Sequence, residues 1–462
     1  MRSSPSAPVS LLVSLALLSG CSSLKTQKDQ FGEVDRRASV GDFRGAARQL
    51  EASQAQYYAS KDRVLYYLDL GMLCHLGRDY ARSNEMLTKA EDAIEELYTT
   101  SISKGALSLL LNDNALDYDG EDYEDVYLNV FKALNYLSLN QFDEAFVEVR
   151  RINNKLSVLE DKYAKVVEEY DNSDEGRGKF KPVHCQFNNS ALGRYLSMLM
   201  YRADGQMDGA RVDCEKINDA WRTQSQVYNF PMPDLSSSLK VRPGQARVSV
   251  IAFVGKSPEL FARELTIHTF QDAVAVYTSD GQQDQNLGLI PWPSMTSGYH
   301  FKFSLPYMHK KGTRVRRAEI EIDGKSAGLL SLMESIENSA EDTFRMKETI
   351  TYVKTIIRAV TKGIANEQAN VELDKQTGGG LWGELTRVAT SIAVAATENA
   401  DLRLSRYFPS NALVGDVVVQ PGVHSIAIRF FDANGMQLYR EDYGRQSIAP
   451  GKLNFFHTAY LQ

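Results

Sequence analysis

YEDVYLNVFKALNYLSLNQFDEAFVEVRRIN, from Tyr123 to Asn153, contains a helix, a turn and a second helix. Tyr127, Val130, Phe131, Leu134 and Leu137 recur at spacings of three and four, which puts one apolar stripe on the first helix. The polar turn at Asn140-Gln141 is followed by bulky Phe142 and, three residues on, small Ala145. A bulky side chain fills the space between two antiparallel helices, and a small one lets their axes approach.

The same element occurs three more times. Phe43 and Ala46 stand in GDFRGAARQL, Tyr80 and Ser83 in GRDYARSNEML, and Met207 and Ala210 in GQMDGARVDC. This resembles the turn of the tetratricopeptide repeat, whose regular period is about 34 residues. The later spacings are wider, so Ser101 to Gly120 and Asp171 to Pro182 are read as insertions. Residues 31–230 are therefore expected to be an α-helical, tetratricopeptide-like repeat domain, and stacked pairs of this kind offer a surface to a protein partner.

The period changes after a linker at 231–245, which is rich in proline and serine. Alternating runs at Arg247–Phe253, Arg263–His268, Val274–Thr278, Tyr299–Leu305 and Arg314–Asp323 predict strands. Residues 246–328 form the first part of a β-rich domain, 329–409 a helical insertion and 410–462 the second part. Asp416–Val419 and His424–Phe431 are joined by Pro421-Gly422, and Asp432-Ala433-Asn434-Gly435 closes the next hairpin. The fold class is α+β. The β half reads as an antiparallel β-sandwich-like domain split by helices, or as two small β units.

At the other end, Arg2, the apolar run Val9 to Leu18 and Leu18-Ser19-Gly20-Cys21 have the order of an export signal. The last four residues resemble the lipobox of bacterial lipoproteins. Residues 1–20 are expected to be removed, Cys21 to be lipidated with acyl chains (palmitate class), and 21–30 to serve as tether. The apolar run is shorter than the roughly 20 residues a membrane span needs. By resemblance to the sorting signals of proteobacterial lipoproteins, Ser22 and Ser23, with no aspartate behind the cysteine, imply the outer membrane, facing the periplasm.

The net charge of −7 argues against nonspecific nucleic-acid binding. Cys74, Cys185 and Cys214 are odd in number, so a disulfide framework is not expected, although Cys185 and Cys214 could pair. No zinc-protease, P-loop, nucleophile-elbow or dinucleotide motif occurs, and no catalytic residue, cofactor or metal is assigned. His184 beside Cys185 supplies only two of the three or four ligands zinc needs. Asp117 to Asp122 has the composition of a calcium loop, but Asn129 and Val130 stand where the closing carboxylate belongs. It reads better as an acidic helix entry. Two basic groups, Lys354, Arg358 and Lys362 and then Lys310, Lys311, Arg314, Arg316 and Arg317, read as solvated faces, the alternative being contact with anionic lipid or an acidic partner.

Taken together, the lipobox, Tyr123 to Asn153, YLSMLMYRADGQMDGA (Tyr195 to Ala210), RVSVIAFVGKSPELFARELTI and ENADLRLSRYFP (Glu398 to Pro409) resemble one family. It is a little-characterised family of bacterial envelope lipoproteins with tetratricopeptide-like N-terminal halves. The family pattern has tryptophan where Ser405 stands, which marks a local difference in packing. The resemblance implies a membrane-anchored protein found beside other small envelope lipoproteins, including ones similar to activators of peptidoglycan synthases. The function expected is a nonenzymatic scaffold or regulator binding envelope proteins. The alternative is a hydrolase or ligand-binding protein acting on a wall or surface polymer.

Overall fold

Eight helices form four hairpins among the described residues: α1 (Gly32–Ser39) with α2 (Phe43–Ala52), α3 (Arg63–Leu76) with α4 (Tyr80–Ser101), α5 (Asp122–Ser138) with α6 (Phe142–Asn172), and α7 (Ala191–Ala203) with α8 (Met207–Thr223). They come from a computed structural model that describes residues 31–101, 116–172, 185–240, 242, 244–279, 284–292, 295, 297–298, 300–348 and 400–462. Each second helix begins at the bulky residue of the repeated element. The small residue three positions on, Ala46, Ser83, Ala145 or Ala210, is fully buried in every case.

One backbone device serves all four turns. Gly41, Arg78, Asn140 and Gly205 have φ of 82°, 61°, 59° and 78°, each two residues before the bulky position. A left-handed residue is how a helix commonly ends while its last carbonyls find donors. Close approach is equally specific at Gly71, where an added Cβ would lie 2.7 Å from Leu87 Cδ2. Ser83 Oγ donates to the Gly71 carbonyl at 2.8 Å, so α3 and α4 meet through a glycine and a serine. Both expected insertions fall between hairpins, although 102–115 and 173–184 lie outside the described residues.

The β half contains three four-stranded sheets rather than one continuous structure. The first has the order β12-β1-β9-β8, from Asn454–Tyr460, Ala246–Val254, Asn411–Val419 and Ser331–Ser335. The second is β11-β10-β6-β7, from Gln437–Ile448, Gly422–Phe431, Arg317–Ile322 and Lys325–Leu329. The third is β4-β3-β2-β5, from Asp284–Pro291, Ala273–Ser279, Glu259–Phe270 and His300–His309. Pairing is antiparallel except between β1 and β12, which run parallel.

Strand β1 organises the whole. Successive side chains of a strand point to opposite faces. Ile251 and Phe253 enter the core built by the helices. Val248, Val250, Ala252 and Val254 enter a second core with Ile320, Ile426, Ile428 and Phe430 of the second sheet. The near-continuous apolar run of RVSVIAF is what a strand buried on both faces requires. The helical half and the first sheet therefore share one core.

Four expectations need correction. The stretch 231–245 is packed, since Leu235 is buried and Phe230, Met232 and Leu239 sit against the helical core. The region expected to be helical over 329–409 begins with β8, helix occupies 336–348 (α9), and 400–409 have neither helix nor strand, while 349–399 lie outside the described residues. Pro421-Gly422 joins strands of different sheets rather than closing a hairpin. The final strand pairs parallel to β1, whereas an antiparallel domain was expected. Lys354, Arg358, Lys362 and Leu385 to Ala396 lie outside the described residues. Among those described, no helix is long and apolar enough to cross a membrane.

Candidate functional site

In a stack of helical hairpins, the inward face is where a bound peptide would be sought. Here that face is occupied by the chain itself. Residues 400–410, the strap, have neither helix nor strand and cross α1, α3 and α5 before entering β9.

The strap is held by buried acids. Asp69 on α3 accepts from the Ser405 hydroxyl at 3.0 Å, the Arg406 amide at 2.8 Å and the Tyr58 hydroxyl at 2.8 Å. Glu124 on α5 accepts from the Ser405 amide at 2.7 Å, the Tyr118 hydroxyl at 2.7 Å and the Glu121 amide at 2.9 Å. Arg403 reaches Asp62 at 2.9 Å, and the Tyr407 hydroxyl donates to Asp35 at 3.0 Å. Ser405 is thus buried between two acidic side chains.

Other groups fasten the first sheet and α9 to the helices. Glu334 of β8 accepts from the Tyr127 hydroxyl at 2.6 Å, the Tyr228 hydroxyl at 3.0 Å and the Leu192 amide at 2.7 Å. Asp342 of α9 accepts from the Gln186 and Phe187 amides at 2.6 and 2.8 Å.

Burial pushes the carboxyls of Asp69, Glu124 and Glu334 up, to about 6, 8 and 7, against the pull of their hydrogen-bond donors. A carboxyl raised on folding contributes stability below its unfolded pKa of about 4 and loses it as pH rises through the folded value. These three groups therefore contribute stability that falls between about pH 4 and pH 8. For Glu124 alone the steepest slope is about 1.4 kcal/mol per pH unit. Glu124→Gln should flatten this dependence, narrowing or reversing its deficit at pH 8 relative to pH 5 in thermal unfolding. A deficit that is constant with pH would contradict the assignment.

One nucleophile–base contact has the residue types of a hydrolase. Ser138 Oγ and His457 Nε2 lie 2.8 Å apart beside a cavity of about 460 Å³. Ser138 Oγ also donates to the Leu134 carbonyl at 2.9 Å, so its proton is already engaged. Burial, together with His75 and Arg78, holds His457 well below the usual imidazole range. An imidazole so reluctant to accept a proton makes a poor general base. The rings of His457 and His75 stack at 5.3 Å, and the pair serves as packing.

The residues singled out in the sequence are scattered. Cys21 and His184 lie outside the described residues. Cys74, Cys185 and Cys214 are free, and Cys185 donates to Asp342 at 3.2 Å. The acidic run enters α5 at Asp122, with Glu121 and Glu124 forming a capping box, as the helix-entry reading expects. Lys311 pairs with Glu259 at 2.6 Å and Arg317 with Glu319 at 3.6 Å, while Arg316 donates to the Thr313 carbonyl at 2.6 Å. No group of three or more His, Cys, Asp or Glu is placed to hold a metal among the described residues. Sequence reasoning missed the strap and its acids, because Asp69 sits among apolar neighbours and Glu124 within an acidic run that a helix entry already explains.

Compared with family models, curated proteins and solved structures, the chain shows no significant match to any.

Proposed function

We propose that this chain is a lipid-anchored, nonenzymatic scaffold or regulator that holds a protein partner in the bacterial cell envelope, in assembly, export or wall synthesis. The observation supporting this reading is the fourfold helical hairpin with one turn geometry and one large–small signature, which we read as tetratricopeptide-like. Arrays of this kind bind rather than catalyse. The lipobox-like Leu18-Ser19-Gly20-Cys21 and the resemblance to envelope lipoproteins support the setting. The nine residues from Ser22 to Gln30 have a maximum reach of roughly 30 Å at about 3.4 Å per residue, which would keep the hairpins near a membrane.

Because the inward face is filled, the partner belongs on the outer one. There, Val147 and Val158 of α6 and Val212 of α8 are 47%, 54% and 44% exposed. In-cell crosslinking with mass spectrometry on the native lipoprotein tests the reading, with Cys21→Ser as the unanchored control. One dominant envelope partner is expected, lost in the control and in Val147→Glu/Val158→Glu, whose melting temperature should stay close to that of the parent. Absence of a reproducible partner, or capture indifferent to both changes, would remove the proposal.

A further inference from the structure

The strap has a second side. With the start of β2 and the segment after β5 it encloses a cavity of about 410 Å³, lined by Lys256, Lys311 and Arg406 and by apolar Leu260, Leu402 and Leu404. Asp35 and Glu259 also line it, leaving one excess positive charge. Arg406 pairs with Asp35, and Lys311 with Glu259 at 2.6 Å. Lys256 is half-buried and makes no ion pair among the described residues. Arg406 Nε is buried without a hydrogen-bond partner. Taking a cation partly out of water without a counter-charge is costly, and so is burying a donor with no acceptor. Lys256 and Arg406 also add to the burial that holds the Lys311 ammonium below its usual range.

None of the other cavities among the described residues carries an excess of positive charge. In the cleft between α4 and α6, Lys155 is taken by Glu91 at 2.8 Å and Lys162 by Asp122 at 2.8 Å. Beside His75 and His457, Arg78 is taken by Glu441.

We propose that the strap cavity binds an anionic head group, phosphate or carboxylate, carried on an apolar chain. The head lies against Lys256, with Lys311 and Arg406 adding to the positive field, and the chain lies along Leu260, Leu402 and Leu404. The anion supplies a counter-charge for Lys256, and the leucines supply apolar area to cover the tail. Either a lipid or a soluble amphiphile carries this chemistry.

Calorimetric titration of the full chain bearing Cys21→Ser, so that no acyl group interferes, tests the site. Dodecyl phosphate below its micelle concentration is expected to bind at least tenfold tighter than inorganic phosphate. Lys256→Ser should weaken it at least tenfold, and Leu402→Asn should weaken dodecyl phosphate but not phosphate. Melting temperatures of both variants establish that they fold; a variant that does not is replaced by Lys256→Gln or Leu402→Ala. Equal affinity for the two phosphates, comparable binding of dodecyltrimethylammonium, or indifference to the Lys256 change would overturn the proposal. Sedimentation with phosphatidylglycerol vesicles, but not phosphatidylcholine vesicles, would identify a lipid as the source. Dodecyl phosphate binding without vesicle binding would support the site with a soluble ligand.

Discussion

Phe131→Ala is expected to cost about 3–5 kcal/mol of folding stability, the range for truncating a large buried aromatic ring. The ring is only 1% exposed and touches three separate parts of the chain. Its centroid lies 4.9 Å from His75 on α3, 5.0 Å from Phe253 on β1 and 5.6 Å from Phe408 in the strap. Aromatic pairs of this kind contribute about 0.5–1.5 kcal/mol beyond the area they bury. Urea unfolding followed by circular dichroism checks the result. A single transition moved to lower urea is expected, because one core serves helices and sheet together. A loss below about 1 kcal/mol would show that the ring is not at such a junction.

Asp416→Ala should destabilise by a similar amount, about 3–5 kcal/mol, for an electrostatic reason. The Asp416 side chain is 4% exposed, and it receives Arg202 at 2.7 Å, Arg247 at 2.9 Å and the Ser249 hydroxyl at 2.9 Å. Arg202 belongs to α7, so this carboxylate joins the last hairpin to the first sheet. Removing it leaves two arginine side chains, 7% and 10% exposed, with no counter-charge. The loss is therefore larger than the net worth of the pairs. Adding Arg202→Met to Asp416→Ala should recover part of the loss, and calorimetric unfolding of the four-member cycle measures the coupling. Strict additivity of the two changes would contradict this account.

Local features were legible in the sequence and distant ones were not. The bulky residues Phe43, Tyr80, Phe142 and Met207 marked four helix starts because the turn geometry is decided within a few residues. Strand β1 was readable because burial on both faces leaves an unbroken apolar run. By contrast, Ser331–Ser335 was read as helix because five residues carry too little pattern to separate the two periods; pairing with β9 makes it a strand. The strap, at residues 400–409, was read with the helical region because its fixing contacts come from distant helices. Its partners Asp69 and Glu124 are polar residues on helices whose other buried positions are mostly apolar. Which face of the hairpins is covered depends on the first sheet, and nothing in the helices themselves records it.

The position of β1 also bears on the order of assembly. The hairpins are built from neighbouring residues, and folds dominated by such local contacts form quickly. Val250, however, pairs with Gly415 on one side and Phe456 on the other, near the end of the chain. Closing so long a loop is entropically unfavourable before its contacts repay it. A chain emerging from its N-terminus can therefore complete its hairpins early, but their inward face stays open until β9, β12 and the strap arrive. Until then the apolar positions of that face lack their native cover, and the late arrival of the chain's own strands is what closes it.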